Sequence, residues 1–334
     1  MKVAAATGCV VLAGCGNTGT SAQSDRAETP DPDRPVTVGW AYGFENSSIY
    51  PPLRSAAVAE AQRLGVELLQ GSANSDCNKQ IENIQNYLQR QVDAWVFTGV
   101  CGSGSSYNAL VKEGQAEGAL AFSYASVHEL ADGALSFNDS QAGELVAEDA
   151  TAWLKKTFDG DYSTFSWALM PCSAVPKTVQ ARTDVVRDAI VALTGKQPLA
   201  DKDCALDPEA GYQATQAWLQ KEPTLDMVIG LNDAGAVGAR RALEQSTTID
   251  RSRIYVAGMD GEPAAVEFVM NNDPYYKFTA ALDLVEVGSS VVSVPAGVVR
   301  GTGLPWRVFN YTPLSVDDSQ SAKAFYDRVF GDSK

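Results

Sequence analysis

Two polar side chains follow strand-like runs in the second half of the chain, at positions suited to binding a small molecule. Asn232 comes after the apolar run 227–231, and Asp260 comes shortly after the run 254–258. Because ligands of open α/β sheets bind outside the carboxyl ends of the strands, both positions predict ligand contacts. An amide can donate to and accept from hydroxyl groups, and a carboxylate can accept from them. The alternative is that both side chains only cap the helices that follow them.

Catalytic and metal chemistry are not indicated by the other residue types. The chain has a single histidine, His128, which lies among polar residues and is predicted to be solvated. Ser-His-Asp and Cys-His arrangements need partner groups around an imidazole, and histidine-based metal sites need several ligands. The cysteine spacing contains no C-x-x-C and does not fit a zinc ribbon. We therefore predict no catalytic residue, no metal and no cofactor, with aspartate-based chemistry left open.

Length and charge restrict the class of protein. The chain has 334 residues, which is more than a typical single domain, so two lobes are expected. Apolar residues make up 45% and charged residues 20%, as in an ordinary soluble globular protein. The formal net charge of -15 argues against nucleic acid as a partner, because phosphate binding needs clustered Lys and Arg. It also argues against a basic patch that binds anionic lipid.

The first residues have the pattern of a bacterial export signal. Lys2 precedes a short, mostly small and apolar run, which ends in Leu-Ala-Gly-Cys at 12–15. This tetrapeptide resembles the lipobox, so residues 1–15 are predicted to be a lipoprotein signal peptide with the lipid on Cys15. The true start of the signal is left open, and the alternative for this run is a buried N-terminal strand.

Residues 16–35 are predicted to be a flexible tether. They contain Gly, Ser, Thr, Asp and Pro with almost no large apolar groups, so they cannot bury enough surface to fold. No later segment is long and apolar enough to span a bilayer. We therefore expect an extracytoplasmic protein that is attached to the membrane through its lipid alone.

Strand-like and helix-like segments alternate from Val36 onwards. A helical pattern over 53–64 is ended by Gly65, and Asp76 is placed to cap the next helix. Segment 93–97 is a largely apolar strand, of the kind that is buried on both faces of a parallel sheet. The second half repeats this rhythm, which predicts a doubly wound parallel α/β fold in two similar lobes.

Four cysteines lie in the predicted folded part, and an even number in an exported protein suggests two disulfides. Three pairings are possible, and we favour Cys77–Cys101 and Cys172–Cys204. Cys77 and Cys101 each follow one of two consecutive strands, and neighbouring parallel strands end on the same edge about 4.8 Å apart. A disulfide needs Cα atoms roughly 4.4–6.8 Å apart. The second pair has the same relation if segment 198–203 forms a strand.

Four stretches together resemble the type I periplasmic sugar-binding proteins, in their ribose-binding branch. They are the segment 53–68 with its Glu-Ala-x-x-Leu-Gly pattern, the segment 80–97, Leu-Asn-Asp-Ala-Gly at 231–235 and Gly-Met-Asp-Gly at 258–261. The similarity runs from about Val36 to Gly301. The resemblance implies two lobes that are joined by three crossovers and hold a ligand between them.

The resemblance also places the lobe boundaries. Crossovers fall near Phe137, Leu282 and Arg307. Lobe I then comprises residues 36–137 and 283–307, and lobe II comprises residues 138–282 and 308–334. Arg182 looks like the arginine with which this family contacts its ligand, and a guanidinium offers planar, directional donors. The alternative for Arg182 is a surface ion pair.

Aromatic side chains sandwich sugar rings in this family. Tyr50 resembles one such position, and Phe44 lies near it on the loop after the first strand. Trp40 and Trp167 are predicted to be core residues instead.

The sequence departs from the family pattern after the fourth strand, where Tyr124-Ala125 replaces an Asp-Arg pair. A ligand-facing aromatic residue of the second lobe is Leu206 here, and a hinge glutamine is Leu282. These changes make the predicted pocket more aromatic and argue against ribose itself. Segment 49–52 also resembles the branch of the trimethylamine-oxide sensor. In that case Phe44, Tyr50 and Tyr124 would face an amine oxide or quaternary ammonium.

The resemblance implies a solute receptor of an ABC importer, which captures a sugar or polyol and presents its closed form to the membrane permease. The alternative is a sensory receptor that presents the closed form to a membrane kinase. A regulator of the lac-repressor type would need an N-terminal helix-turn-helix, which residues 2–35 lack. We expect a monomer.

Overall fold

The computed structural model describes residues 31–45, 48–101, 104–303 and 308–331. They form two sheets, each flanked by helices. The first sheet is parallel throughout, in the spatial order β10-β5-β4-β3-β1-β2. Its strands are β1 (Val36–Tyr42), β2 (Val66–Ser72), β3 (Ala94–Thr98), β4 (Leu120–Tyr124), β5 (Gly133–Phe137) and β10 (Val308–Tyr311).

The second sheet has five strands in the order β11-β9-β8-β7-β6. Four of them are parallel, and the short edge strand β11 runs antiparallel to β9. The expected doubly wound α/β fold is therefore confirmed, apart from this one strand. The strands are β6 (Trp167–Met170), β7 (Met227–Gly230), β8 (Tyr255–Asp260), β9 (Tyr276–Ala281) and β11 (Leu314–Val316).

Helices cover both faces of each sheet, and we call each sheet with its helices a lobe. Lobe I carries α1 (Tyr50–Leu64), α2 (Cys77–Gln89), α3 (Asn108–Ala116) and α9 (Leu284–Val299). Lobe II carries α4 (Asp139–Phe158), α5 (Lys177–Thr194), α6 (Pro208–Lys221), α7 (Asp233–Gln245), α8 (Pro263–Met270) and α10 (Ser319–Phe330).

The chain passes between the two lobes three times. It leaves lobe I after Phe137, at the end of β5, and it returns through Leu282 and Asp283 between β9 and α9. Arg307, near which the third crossover is predicted, lies outside the described residues. Strand β10 still belongs to the first sheet, so the third passage falls between Tyr311 and Leu314.

Local signals explain where several elements begin and end. Gly65 ends α1 in the left-handed region, with φ of 61°. The carboxylate of Asp76 caps α2 by accepting from the backbone N–H groups of Asn78 and Lys79. Helix α1 begins at Tyr50, three residues before the predicted start, because two prolines are favourable in a first helical turn. Segment 198–203 forms only a single bridge, between Leu199 and Ala168, instead of a strand.

The N-terminal 30 residues, including Cys15 and most of the predicted tether, lie outside the described residues. The last tether residues contact lobe I. The backbone N–H of Asp31 donates to the carbonyl oxygen of Arg300 at 2.9 Å, and Arg34 forms an ion pair with Asp93 at 3.0 Å. Across the described ranges, no helix has the length and apolar character needed to cross a membrane.

Both predicted disulfides are present. Cys77 is bonded to Cys101, and their Cα atoms lie 4.7 Å apart, as expected for residues that follow neighbouring strands. Cys172 is bonded to Cys204 in lobe II. Each disulfide therefore connects two segments at the carboxyl edge of one sheet, and neither links the two lobes.

Removing one of these bridges should destabilise its own lobe. A variant with Cys77→Ser and Cys101→Ser should lose about 3 kcal/mol of unfolding free energy, because the unfolded chain regains the entropy of an open loop. Urea denaturation followed by tryptophan fluorescence measures this change. An unchanged midpoint relative to the oxidised wild type would contradict it, and wild-type protein treated with a reductant is the control that should also lose stability.

Candidate functional site

Arg182 forms two buried ion pairs at the carboxyl edge of the second sheet. Its Nε donates to Oδ1 of Asp139 at 2.6 Å, and its Nη1 donates to Oδ1 of Asp260 at 2.6 Å. The Arg182 side chain is only 7% exposed, so the surface ion pair considered as the alternative is not what the structure contains. The three residues come from α5, the first turn of α4 and the end of β8.

The charges in this cluster do not balance, since two carboxylates share one guanidinium. Burial opposes the positive charge of Arg182, but Asp260 and Asp139 outweigh that effect and raise its pKa. Burial raises the pKa of Asp139 above its ordinary value, and the charge of Arg182 opposes this shift. Asp260 is the most exposed of the three, with 18% of its side chain accessible. Its carboxylate is therefore the member of the cluster best placed to accept from a ligand hydroxyl group.

The backbone at Asp260 is held in an unusual conformation. Its φ of 107° lies in a region that favours glycine, and Gly261 follows with φ of 77°. Strain of this kind persists only where the surroundings impose it, and it is concentrated at functional sites. Here the surroundings are the carboxylate of Asp233, which the sequence analysis did not identify as a site residue.

Asp233 lies fully buried at the start of α7 and accepts four hydrogen bonds. Its carboxylate oxygens accept from the backbone N–H groups of Gly261 and Glu262, both at 2.8 Å, and from the hydroxyl groups of Tyr276 and Thr279. Burial raises the pKa of Asp233 well above its ordinary value. The only feature of the sequence that could have indicated Asp233 is the Asn-Asp pair after a strand, and that pattern points to Asn232 instead.

Asn232 is a helix cap, as the alternative interpretation proposed. Its Oδ1 accepts from the backbone N–H of Gly235 at 3.0 Å, and its Nδ2 donates to the carbonyl oxygen of Leu206 at 2.9 Å. These two bonds leave one amide N–H and one lone pair of the side chain. A ligand contact by Asn232 therefore stays a prediction. The hydrogen bond from Asn232 to Leu206 holds the loop before α6 in place.

Lobe I presents aromatic side chains at its own carboxyl edge. The ring of Tyr50 lies 5.5 Å from that of Tyr42 and 6.3 Å from that of Phe44, between centroids. Tyr50 is buried, and burial raises its pKa to about 12. Phe44 is 42% exposed, so its ring is accessible to a ligand.

Tyr124 is the last residue of β4 and is a further aromatic residue at this edge. Its ring packs edge-on against Phe137, at 5.6 Å between centroids. Burial raises the pKa of Tyr124 well above its ordinary value, and the charges of Tyr50, Tyr311 and Asp260 add to this shift. The predicted aromatic residues therefore lie at the carboxyl edge of the first sheet, and the predicted charged residues lie at the carboxyl edge of the second sheet.

The other predictions for single residues have separate outcomes. Trp40 and Trp167 are buried core residues, as predicted. The prediction for His128 was wrong, because the ring is half-buried against Phe97 and is hydrogen-bonded rather than solvated. Its Nε2 lies 2.9 Å from the carbonyl oxygen of Gly104, and its Nδ1 accepts from the backbone N–H of Leu130 at 3.3 Å.

One group of potential metal ligands occurs among the described residues, namely Cys172, Asp203 and Cys204. The two sulfur atoms are bonded to each other in a disulfide, so they offer no thiolate to a metal ion. Asp203 accepts from the backbone N–H of Ser173 at 2.8 Å and braces the same loop.

Comparison with known proteins agrees with this architecture. The model of the periplasmic binding protein domain family matches residues 38–302, and the chain belongs to this family. The D-xylose-binding periplasmic protein of Haemophilus influenzae is 26% identical over 222 residues. That match covers 65% of this chain and 64% of the relative, so it spans somewhat less than two thirds of the relative's length.

Solved structures of similar proteins share the fold over most of the chain. An ABC transporter solute binding protein from Mycobacterium smegmatis with bound glycerol is 25% identical, with a TM-score of 0.75. That match covers 87% of this chain and 96% of the other. A periplasmic ribose ABC transporter protein from Conexibacter woesei is 19% identical, with a TM-score of 0.75, and covers 89% of this chain and 96% of its own. At 19% identity, the similarity to the Conexibacter woesei protein is evidence for a shared fold only.

Replacing Arg182 should destabilise the protein strongly. Arg182→Met leaves two buried carboxylates without a counter-charge, which should cost about 3–5 kcal/mol of unfolding free energy. The loss should be larger at pH 8 than at pH 5, because protonation removes the unpaired charges. Arg187→Met on the same helix is the control, since it breaks only exposed ion pairs and should cost at most about 1 kcal/mol. Equal urea midpoints for the two variants would contradict this account.

Proposed function

We propose that the protein is the extracytoplasmic solute-binding component of an ABC importer, and that it captures a neutral sugar or polyol between its two lobes. The observation that carries the proposal is the Asp139–Arg182–Asp260 cluster in lobe II, which lies opposite the aromatic edge of lobe I. Membership of the periplasmic binding protein family supports it. So do a relative that is named as binding D-xylose and a similar structure with bound glycerol.

The aromatic edge of lobe I and the charged edge of lobe II suit the apolar C–H faces and the polar hydroxyl groups of a sugar, respectively. The C–H faces of a sugar ring are apolar and can stack on the exposed ring of Phe44, and on the buried rings of Tyr50 and Tyr124 once an open cleft uncovers them. Ring hydroxyl groups can donate to the carboxylate of Asp260 and accept from the remaining N–H groups of Arg182. Asn232 offers one further donor. Ligand that touches both lobes would favour the closed form, which the permease would recognise.

Attachment and lobe boundaries complete the proposal. A lipid on Cys15 would hold the protein at the membrane, with residues 16–35 as the tether, whose last residues contact lobe I, and the folded part would act as a monomer. Lobe I would comprise residues 36–137 and 283–311, with the boundary moved from the predicted residue 307 to the end of β10. The protein would act by binding alone, without catalysing a reaction.

A thermal-shift screen of the soluble protein from Gly16 tests this function. The neutral panel contains D-xylose, D-ribose, L-arabinose, myo-inositol and glycerol, and a second panel contains trimethylamine N-oxide and choline. A probe at a hundred times its dissociation constant should add about 2.7 kcal/mol of unfolding free energy. A shift with a member of the neutral panel is the expected result, and a shift in the second panel alone would favour the sensor alternative.

Asp260→Asn should clearly reduce the shift and leave the fold intact. Asparagine tolerates a positive φ, and the change replaces a charged acceptor with a neutral amide oxygen that forms weaker hydrogen bonds. Asp327→Asn is the control, because Asp327 forms only an exposed pair with Lys323. Circular dichroism confirms the fold of both variants. Unchanged affinity in Asp260→Asn would remove Asp260 from the proposed site.

A further inference from the structure

A hydrogen bond between side chains crosses from one lobe to the other beside the Asp260 carboxylate. The hydroxyl group of Ser48 donates to Oε2 of Glu262 at 3.0 Å. Ser48 belongs to the loop between β1 and α1 of lobe I, whereas Glu262 precedes α8 in lobe II. The Glu262 side chain is half-buried and Ser48 is exposed, so separating the lobes would break this contact and further hydrate the Glu262 carboxyl group. Glu262 therefore has different surroundings in a closed and an open cleft.

We propose that Glu262 is a further residue of the ligand site, which meets Ser48 across the cleft and couples the capture of a neutral ligand to the uptake of one proton. This inference rests on the proposed function, because it takes closure around a ligand as the event that buries Glu262. It adds a residue that the sequence analysis did not identify and a property that the fold alone does not imply.

The groups that face Glu262 are mostly acidic. Asp260 lies two residues earlier at the end of β8, and Asp233 at the start of α7 accepts from the backbone N–H of Glu262 at 2.8 Å. Tyr276 of β9 also interacts electrostatically with Glu262, and Ser48 is its partner from lobe I. The nearby cation, Arg182, is already shared between two carboxylates. A second ionised carboxyl group is thus unfavourable here in the closed cleft.

This arrangement changes the protonation of Glu262. Burial raises its pKa from 4.5 to about 7, the charge of Asp260 adds to the shift, and the hydrogen bond from Ser48 opposes it. In an open cleft the carboxyl group is hydrated and regains its ordinary pKa. Between these two pKa values the closed form binds a proton that the open form does not. Closure therefore becomes more favourable as the pH falls through 7, and this gain is complete below the ordinary pKa.

If most of the protein is open in the absence of ligand, the apparent ligand affinity rises in proportion to the equilibrium constant for closing the lobes. Between pH 8 and pH 5.5, affinity for a neutral sugar should rise on the order of tenfold. Glu262→Gln places an uncharged group of the same shape in the cleft. It should bind at pH 8 as tightly as the wild type binds at pH 5.5, with no further change on acidification.

Isothermal titration calorimetry of D-xylose, D-ribose, L-arabinose, myo-inositol and glycerol at both pH values tests this proposal. Titration at pH 6 in two buffers of different ionisation enthalpy measures the protons that are taken up. The wild type should take up close to one proton for each bound sugar, and Glu262→Gln should take up none. Glu113→Gln, a change at an exposed position on α3, should keep the pH dependence and proton uptake of the wild type.

Three results would overturn the proposal, and they can be told apart. If a neutral probe binds with the same affinity at both pH values, Glu262 is not coupled to capture. If the pH dependence persists in Glu262→Gln, another group carries it. If none of the five probes binds at either pH, the proposed function fails, and the coupling fails with it.

Discussion

The buried cluster of Asp139, Arg182 and Asp260 is the interaction on which the binding edge of lobe II depends. It joins the first turn of one helix, the side of another and the end of a strand. A buried charge is tolerable only while its partners are in place, so the spacing of these three elements can vary little. Asp233 adds to this rigidity from the opposite side, by binding the backbone that follows Asp260. This edge is thus ordered without a ligand, which would lower the entropic cost of ordering its side chains when a ligand binds.

The two lobes contribute different chemistry to the cleft. Lobe I presents rings such as Phe44 and Tyr124, whose faces suit apolar surface, and lobe II presents an ionic cluster that suits hydroxyl groups. Neither edge alone can satisfy a molecule that has both kinds of surface. In the proposed function, stable capture therefore requires both lobes, and the position of the lobes would depend on whether ligand fills the cleft.

Local patterns were sufficient to predict much of the fold. The alternation of elements, the cap at Asp76 and the break at Gly65 depend on neighbouring residues, and the Cys77–Cys101 disulfide follows from strand order. The Cys172–Cys204 disulfide forms although segment 198–203 contributes only a single bridge instead of the strand on which its prediction depended. Asp139 was missed because its partner lies 43 positions away, and nothing near it in the sequence marks a buried charge. Glu262 and Ser48 were missed for a similar reason, since their contact joins segments 214 positions apart. Pairings between distant segments come from tertiary packing, which no local period encodes.

The order of the disulfides along the chain has a consequence for how the protein matures. Each bridge joins cysteines that are consecutive in the folded part, and the partners are 24 and 32 positions apart in the sequence. A chain that emerges from an export channel with its N-terminus first would present Cys101 while Cys77 is the only earlier thiol of the folded part. The native pairs would then be the first that oxidation can form, and lobe I would be bridged before Cys172 and Cys204 appear. Such a chain has little need of an isomerase to correct its pairing.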